Sequence, residues 1–270
     1  MAPPTNWSLP FLEPSFSPSL DRQYSLIILN QPFSVPLLSR LWKASTWRCC
    51  ADGGANRLHD VLKNQASVSE RLGWDARSLY LPDLIKGDLD SLRDDVREYY
   101  ASHNVPIVQD DDQDSTDLMK CIYACAEKHK GSVHEKSDLI VLGGLSGRLD
   151  QTIHTLSLLY KLRNSPMRIF AVTDDNVAWV LNGEGADTSG EHRIAINHQL
   201  VGPTCGLLPV GVDSTVLSTT GLRWNLTDRV SSFDGLVSTS NHLVPEESTV
   251  WIKTTRPIWW TVELRQSGLQ

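Results

Sequence analysis

Aspartate is concentrated in residues 109–120, which read QDDDQDSTDLMK and hold five aspartates within eight positions. Carboxylates this close repel one another, so a folded protein keeps them only if they are fully solvated or neutralised by cations. A solvated acidic loop is the simpler interpretation of such a charge run. A metal site is the alternative, and motifs elsewhere in the chain bear on the choice.

A second acidic motif, KGDLDS at residues 86–91, places Asp88 and Asp90 two positions apart. In an extended segment alternate side chains project to the same side, so both carboxylates could reach one cation. Gly87 would let the backbone approach a ligand closely. Oxygen ligands without a histidine or cysteine set favour Mg²⁺, which completes its shell with phosphate oxygens and water. An acidic pair is a weak signal alone, because ordinary acidic turns look the same.

The acidic stretch runs into a predicted helix, for which Asp114 or Ser115 is the expected N-cap. On a helical wheel Thr116, Asp117 and Lys120 fall away from the apolar stripe and face the loops at the strand ends. Lys120 could then bind a phosphate, or it could simply pair with Asp117 on a solvated face.

The segment GGLSGRLD, residues 143–150, is a glycine-rich turn that leads into another helix. Free N–H groups and the helix dipole favour anions at such a point. The segment lacks the Lys-Ser/Thr pair of a P-loop and the spacing of a dinucleotide fingerprint. Arg148 could bind a phosphate with its planar guanidinium. Asp150 could hold a metal or a hydroxyl, or it could only stabilise the first helical turn.

Short apolar runs precede these polar motifs and are predicted to be buried strands: 25–29, 47–51, 84–85, 105–108, 139–142 and 168–172. Helical stripes lie between several of them. This alternation predicts an α/β fold with an open, mostly parallel, Rossmann-like sheet. Ligands bind outside the carboxyl ends of the strands in such sheets. Because four polar loops converge on that edge, a functional site becomes the favoured interpretation.

From about residue 177 the chain changes to short alternating runs without helical periodicity, which predicts a smaller, all-β antiparallel sandwich. The expected organisation is a proline-rich tail over residues 1–22, an α/β domain over 23–176 and the sandwich over 177–270. The prolines of the tail exclude a regular helix or a central strand.

Composition limits the partners. A net charge of −7 and a pI near 5.6 argue against nucleic-acid binding, which requires a basic surface. No apolar run of about 18 residues indicates a membrane segment, and no secretion signal opens the chain. Five cysteines at spacings unlike those of disulfide frameworks or zinc sites indicate buried free thiols. A cytoplasmic protein is therefore expected.

Six motifs occur in the order found in thiamin pyrophosphokinases, and the chain most resembles the eukaryotic form of that family from about residue 24 onward. They are ADGGANRL (51–58), KGDLDS (86–91), DQDSTDLMKC (112–121), GGLSGRLDQ (143–151), TTGLRWNL (219–226) and LVSTSN (236–241). The resemblance implies Mg²⁺-dependent transfer of the diphosphoryl group of ATP to the hydroxyl of thiamine, giving thiamine diphosphate and AMP. It also implies a homodimer with thiamine held between subunits.

The resemblance also implies roles for individual residues. The α/β domain would hold the nucleotide and the Mg²⁺-diphosphate, and the sandwich would hold thiamine. Implied catalytic residues are Asp52, Asp88, Asp90, Asp117 and Asp150, with Asp88, Asp90 and Asp117 as metal ligands. Implied contacts to ATP or its diphosphate are Asn56, Arg57, Gln113, Thr116, Lys120, Gly143, Gly144 and Arg148. Implied thiamine contacts are Trp224, Ser238 and Asn241.

An indole face attracts a cationic ring, which gives the thiamine role of Trp224 a physical basis. Two positions depart from the common family pattern. Ser146 stands where many members have glycine, and Gln151 replaces a histidine common in bacterial members. Neither change removes a charged site residue, so an active enzyme is expected.

Two other functions fit parts of the pattern. A metal-dependent phosphohydrolase also clusters aspartates at strand ends, but it would release phosphate without an acceptor. A catalytically silent thiamine-binding protein would keep Trp224 and could discard the carboxylates. The carboxylates are present, which counts against the silent protein.

Overall fold

A computed structural model describes residues 3–19, 23–64, 75–131, 137–185 and 190–269. Its α-helices are α1 (Val35–Ala44), α2 (Gly54–Asn64), α3 (Asp94–Ser102), α4 (Asp117–His129), α5 (Leu149–Lys161) and α6 (Gln266–Leu269). Its strands are β1 (Thr5–Trp7), β2 (Tyr24–Ile28), β3 (Ser45–Ala51), β4 (Leu84–Gly87), β5 (Ile107–Gln109), β6 (Asp138–Leu142), β7 (Ile169–Val172), β8 (Asn176–Leu181), β9 (Glu191–Ala195), β10 (Val201–Leu208), β11 (Ser214–Thr220), β12 (Arg229–Ser232), β13 (Ser238–His242), β14 (Thr249–Thr254) and β15 (Ile258–Leu264).

A parallel sheet forms the first half of the fold, in the strand order β5-β4-β3-β2-β6-β7. β2 and β6 at its centre are buried along their whole length. Parallel strands covered on both faces read as continuous apolar runs, which is how the sequence reveals them. The chain adds strands on one side of β2 through β5 and then crosses to the other side at β6. The carboxyl ends at this switch point are where ligands bind in open α/β sheets.

The same sheet continues past β7 through β8, β15, β10 and β13, all of them antiparallel. A second sheet, in the order β1-β9-β14-β11-β12, forms the other layer of the sandwich. Trp179 and Trp260 from the first sheet share one buried cluster with Leu217 and Ile252 from the second. The predicted combination of a mostly parallel α/β sheet with a β-sandwich is confirmed, and one ten-stranded sheet runs through both parts.

The proline-rich N-terminal segment belongs to the core in its described part. β1 pairs in parallel with β9 at the edge of the second sheet, where a proline-flanked strand is tolerated. Phe11 is completely buried, and its ring centroid lies 5.1 Å from that of Tyr24 and 5.3 Å from that of Phe170. The segment therefore joins the sandwich and the parallel sheet.

Besides β1, sequence patterning missed two strands, β10 and β12. β10 contains Gly202, Pro203 and Gly206, which argue against a strand, yet it is largely buried. Its register shifts between Val201 and Cys205, and proline is accommodated at such an irregularity because a ladder hydrogen bond is interrupted there. β12 reads RVSS and lies at a sheet edge, so no alternating apolar pattern marks it.

Substituting Phe11 by alanine should lower the free energy of unfolding by about 3–5 kcal/mol, because the change empties a fully buried aromatic site. Phe233→Ala is the matched control, since Phe233 is 70% exposed and the change there should stay within about 0.5 kcal/mol. Denaturant unfolding of both variants measures the difference. An equally small decrease in the free energy of unfolding for both variants would show that the N-terminal segment is not part of the core.

Candidate active site

A cleft of about 500 Å³ opens at the carboxyl ends of β2, β3 and β4, beside the switch point of the parallel sheet. It is lined by residues 29–32, 51–53, Asp88, Ser91, Asp112, Gln113, 115–118, Lys120, Gly147, Arg148, Gln151, His154 and Thr155. Four of the loops predicted to converge on this edge contribute to the cleft: those after β3, β4, β5 and β6. Polar groups dominate its rim, as a site for charged ligands requires.

Three aspartates share one end of the cleft. Carboxylate oxygens of Asp52, Asp88 and Asp117 all lie within 4.8 Å of one another. Gly87 makes this approach possible, because a Cβ there would come within 2.8 Å of both Asp117 Oδ1 and the Asp52 Cβ. Glycine at this position therefore admits two carboxylates beside the backbone.

The electrostatics of the three aspartates favour the binding of a cation. Asp52 is 5% exposed, and its Oδ1 has no hydrogen-bond partner among the described residues. Burial raises the pKa of Asp117, and the charges of Asp88 and Asp52 raise it further. An unpartnered buried carboxylate oxygen among like charges is unfavourable unless a metal neutralises it. The donor set consists of hard oxygens, which fits Mg²⁺.

Lys120 lies beside these carboxylates on α4. Its side chain is 3% exposed, and its Nζ lies 3.6 Å from Asp117 Oδ1. The solvated-face interpretation of Lys120 is wrong, because the helix turns Thr116, Asp117 and Lys120 together into the cleft. A buried ammonium so close to the acidic cluster can neutralise part of its charge and can bind a phosphate oxygen.

The N-cap of α4 is Thr116, whose Oγ1 accepts a hydrogen bond from Met119 N at 3.4 Å. The prediction of Asp114 or Ser115 as the cap is wrong. Asp114 belongs to the preceding turn, where its N–H donates to Asp112 Oδ1 at 3.0 Å. Gln113 also lies in this turn, at the rim of the cleft, and its Nε2 donates to the Asp111 carbonyl at 3.2 Å.

Asp90 lies outside the three-aspartate cluster in this structure. The prediction of an extended run from Asp88 to Asp90 is wrong, because Leu89 between them has a φ of 65°. The Asp90 side chain is exposed and accepts a hydrogen bond from Ser91 Oγ at 2.9 Å. Its role as a metal ligand stays a prediction of the sequence.

The glycine-rich loop after β6 is shaped by Gln31. Gln31 Oε1 accepts hydrogen bonds from Gly144 N at 2.8 Å and from Ser146 Oγ at 3.0 Å. Gly143 and Gly144 have φ values of 108° and 85°, which disfavour other residues. Both are buried against neighbouring side chains, so they support the loop and do not line the cleft.

Arg148 reaches the cleft from the same loop. Its guanidinium lies 2.6 Å from Asp150 Oδ2, and both side chains are exposed. The hydrogen bond from Arg148 holds the pKa of Asp150 below its usual range. Asp150 does not line the cleft, and its contact with the cleft is the ion pair with Arg148.

Two residues predicted to contact ATP lie behind the cleft. Both ends of the Asn56 amide bind backbone groups, because Nδ2 donates to the Ser91 carbonyl and Oδ1 accepts from Arg93 N. Arg57 is half-buried, and its Nε has no hydrogen-bond partner among the described residues. Neither residue lines the cleft.

The predicted thiamine residues form a separate group on the sandwich. Trp224 is 53% exposed, whereas Asn241 is buried. The Asn241 side chain accepts from Trp224 N at 3.2 Å and donates to the Trp224 carbonyl at 2.9 Å, so it holds the loop that presents the indole. Ser238 is half-buried in β13. Within the described residues 190–269, none lines the cleft.

Sequence reasoning missed Asn30, Gln31, His154 and Thr155, all of which line the cleft. Asn30 and Gln31 directly follow β2, so the strand-end rule that found the other loops could have found them. His154 lies one helical turn after Asp150 on α5, and burial lowers the pKa of its imidazole. No motif marks His154 in the sequence.

The fold and the cleft define an α/β protein with an acidic site at the carboxyl edge of its sheet, joined to a β-sandwich. Two family models match in that order. Residues 38–171 match the catalytic domain of thiamin pyrophosphokinase, and residues 191–259 match the vitamin B1 binding domain of thiamin pyrophosphokinase. The chain belongs to the thiamin pyrophosphokinase family.

Curated relatives and solved structures agree with the family models. The chain is 39% identical to thiamine pyrophosphokinase 1 of Oryza sativa subsp. japonica, over 90% of this chain and 88% of the relative. It is 30% identical to thiamine pyrophosphokinase of Saccharomyces cerevisiae, over 92% and 87%. The structure of thiamin pyrophosphokinase from Candida albicans matches with a TM-score of 0.80 at 25% identity, covering 98% of this chain and 95% of that one.

Replacing Asp52 or Asp117 by asparagine should weaken Mn²⁺ binding about tenfold or more, because each change removes a charged oxygen from the cluster. Asp117→Asn should also raise the melting temperature without metal, since burial and two neighbouring charges disfavour its ionised form. Electron paramagnetic resonance of free Mn²⁺ and thermal unfolding measure the two effects.

Asp111→Asn is the control for these variants, because Asp111 is exposed and outside the cleft. Unchanged Mn²⁺ affinity in the Asp52 and Asp117 variants would contradict the three-aspartate site. Asp90→Asn tests the predicted role of Asp90 as a metal ligand. A loss of Mn²⁺ affinity as large as that of Asp117→Asn would show that Asp90 belongs to the ligand set.

Proposed function

We propose that this protein transfers the diphosphoryl group of ATP to the hydroxyl of thiamine, giving thiamine diphosphate and AMP. The observation that carries the proposal is the match, in order, to the catalytic and the vitamin B1 binding domains of thiamin pyrophosphokinase. Relatives named thiamine pyrophosphokinase align over about nine-tenths of the chain. A metal-dependent phosphohydrolase finds no support in these matches.

We infer that Mg²⁺ is the metal, held by Asp52, Asp88 and Asp117, with Asp90 as the further ligand predicted from the sequence. The fit rests on the shared oxygen cluster and on the unpartnered Oδ1 of Asp52. When bound, such an ion neutralises phosphate charge and aligns the reacting oxygens.

The chain's own residues supply the remaining requirements of diphosphoryl transfer, which are mainly positioning and charge neutralisation. Lys120 offers a buried ammonium beside the acidic cluster, and Arg148 offers a guanidinium to the same cleft. Thr116 and Gln113 contribute a hydroxyl and an amide to the same surface. Asp52 and Asp88 are the cleft carboxylates that could accept the thiamine hydroxyl proton, whereas Asp150, the third candidate from the sequence, lies outside the cleft; a strong base is not required.

The thiamine subsite is proposed at Trp224, with Ser238 on β13 and with Asn241 holding the indole loop. Trp224 already attracts a cation, because the Arg223 guanidinium carbon lies 4.9 Å from its ring centroid. A cationic thiazolium would find the same attraction at an indole face. The described part of the sandwich does not line the cleft, which supports a homodimer in which one subunit presents Trp224 to the cleft of the other.

The described helices include none that is long and apolar enough to cross a bilayer. We place the protein in the cytoplasm because all five cysteines are buried and free. Cys49 and Cys121 have sulfurs 3.4 Å apart without a disulfide, which suits a reducing compartment.

Incubation with ATP and Mg²⁺ should yield AMP only when thiamine is present, in equal amount with thiamine diphosphate. Chromatographic measurement of both products, with and without thiamine, separates the candidate functions. Nucleotide or phosphate release without thiamine would instead indicate a phosphohydrolase. Thiamine binding without AMP would indicate a silent binding protein.

A subunit-mixing experiment tests the shared site. A purified heterodimer of an Asp88→Asn chain and a Trp224→Ala chain should regain about half of the wild-type turnover, because one of its two symmetric sites combines an intact cleft with an intact indole. Activity no higher than the mean of the two parent homodimers would place the whole site within one subunit. A heterodimer of two Asp88→Asn chains with different tags is the control.

A further inference from the structure

One face of α2 lies against the loop that carries Asp88 and Asp90. Asn56 and Asp60 are four residues apart on this helix and therefore lie on the same face. Neither residue lines the cleft, and the family motif assigns no function to Asp60. Both bind the loop at residues 91–93, just beyond the two aspartates.

Asn56 binds the backbone of this loop. Its Nδ2 donates to the Ser91 carbonyl at 2.7 Å, and its Oδ1 accepts from Arg93 N at 3.1 Å. A single planar amide thus fixes the two consecutive peptide groups on either side of Leu92. With Oδ1 and Nδ2 both engaged, the side chain is poorly available for a direct contact to a nucleotide.

Asp60 binds the side chain of the same Arg93. The two guanidinium nitrogens donate to its two carboxylate oxygens, each at 2.7 Å. Such a bidentate pair fixes direction as well as distance. The pair also holds the pKa of Asp60 below its usual range, through the hydrogen bond from Arg93 first. Asn56 and Asp60 together fasten both the backbone and the side chain of Arg93 to α2.

The fastened loop is connected to the acidic cluster. Ser91 N donates to Asp52 Oδ2 at 3.3 Å, and Asp90 N donates to Asp88 Oδ1 at 3.2 Å. Leu89 between the two aspartates has a φ of 65°, which a leucine adopts only when its surroundings impose it. A shift of residues 91–93 would therefore move the oxygens of both Asp52 and Asp88.

We propose that Asn56 and Asp60 are positioning residues, which hold residues 88–93 on α2 and so set the spacing of the carboxylates for a divalent cation. This inference rests on the proposed metal site and deepens it. It assigns Asn56 to the support of the metal site in place of a nucleotide contact. It also gives Asp60 and Arg93 a role outside the cleft.

The test uses the full-length variants Asn56→Ala and Asp60→Asn, with Mn²⁺ as the probe. Both should raise the Mn²⁺ dissociation constant about tenfold or more, in the range found when a metal ligand loses its support. The Mg²⁺ concentration for half-maximal activity should rise in parallel, and saturating Mg²⁺ should restore most of kcat. The KM for thiamine should stay unchanged.

Asp95→Asn is the matched control. Asp95 also binds the Arg93 guanidinium, at 3.0 Å, but it lies on α3, and no hydrogen bond joins its side chain to α2 within the described residues. This variant should bind Mn²⁺ like the wild type. Arg93→Gln should reproduce the Asp60→Asn defect, and combining the two changes should add little because they remove the same pair.

Three outcomes would overturn the inference. One is a wild-type Mn²⁺ affinity in both Asn56→Ala and Asp60→Asn when these variants are folded. Another is a loss of Mn²⁺ affinity in Asp95→Asn equal to that in Asn56→Ala and Asp60→Asn. The third is an Asn56→Ala variant that raises only the KM for ATP, since that result would show a direct nucleotide contact. If Asn56→Ala does not fold, Asp60→Asn and Arg93→Gln decide alone. Absence of Mn²⁺ binding in the wild type would overturn the metal site itself and this inference with it.

Discussion

Three carboxylates share the small space beside Gly87, and the rest of the site is arranged around their repulsion. Asp52, Asp88 and Asp117 come from the ends of two neighbouring strands and from the first turn of a helix. No side chain other than hydrogen fits at residue 87 without displacing two of them. Such an arrangement is unfavourable by itself, and it becomes favourable when a divalent cation is bound. The arrangement thus favours binding of a metal ion, and it lowers the stability of the protein when no metal is bound.

The surrounding elements limit this repulsion without removing it. Lys120 provides a buried positive charge at 3.6 Å, and backbone N–H groups of Asp88 and Ser91 donate to Asp117 and Asp52. These contacts leave one oxygen of Asp52 without a partner in the described structure. One buried carboxylate oxygen of the cluster is therefore left uncompensated by the described residues. Such incomplete compensation is what distinguishes a binding site from a structural ion-pair network.

Much of the fold and of the site location could be predicted from the sequence, because both depend on local patterns. Buried parallel strands appear as apolar runs, and the polar loops after them share one edge of the sheet. Details that depend on single backbone torsions could not be predicted. Leu89 has a left-handed conformation, so residues 88–90 do not form an extended run, and nothing in the sequence KGDLDS predicts this. Thr116 likewise takes the cap position because Asp114 is engaged in a preceding turn.

Contacts between segments that lie far apart in the chain could not be predicted from the sequence either. Asn56 resembles a ligand contact because it stands in a strand-end motif, yet its amide is occupied by residues 91 and 93. The N-terminal prolines suggested a tail, whereas Phe11 is held between Tyr24 and Phe170 from two strands of the parallel sheet. In each case the side chain's partner lies far along the chain, where periodicity carries no information.

The continuous ten-stranded sheet limits how this enzyme can open and close. β7 and β8 pair across the boundary between the parallel sheet and the sandwich, and Thr173 N donates to the Asn176 carbonyl at 2.8 Å in the turn between them. A hinge at that point would have to break ladder hydrogen bonds. We therefore expect opening and closing of the site to depend on the rim loops, such as residues 110–116 and 143–148.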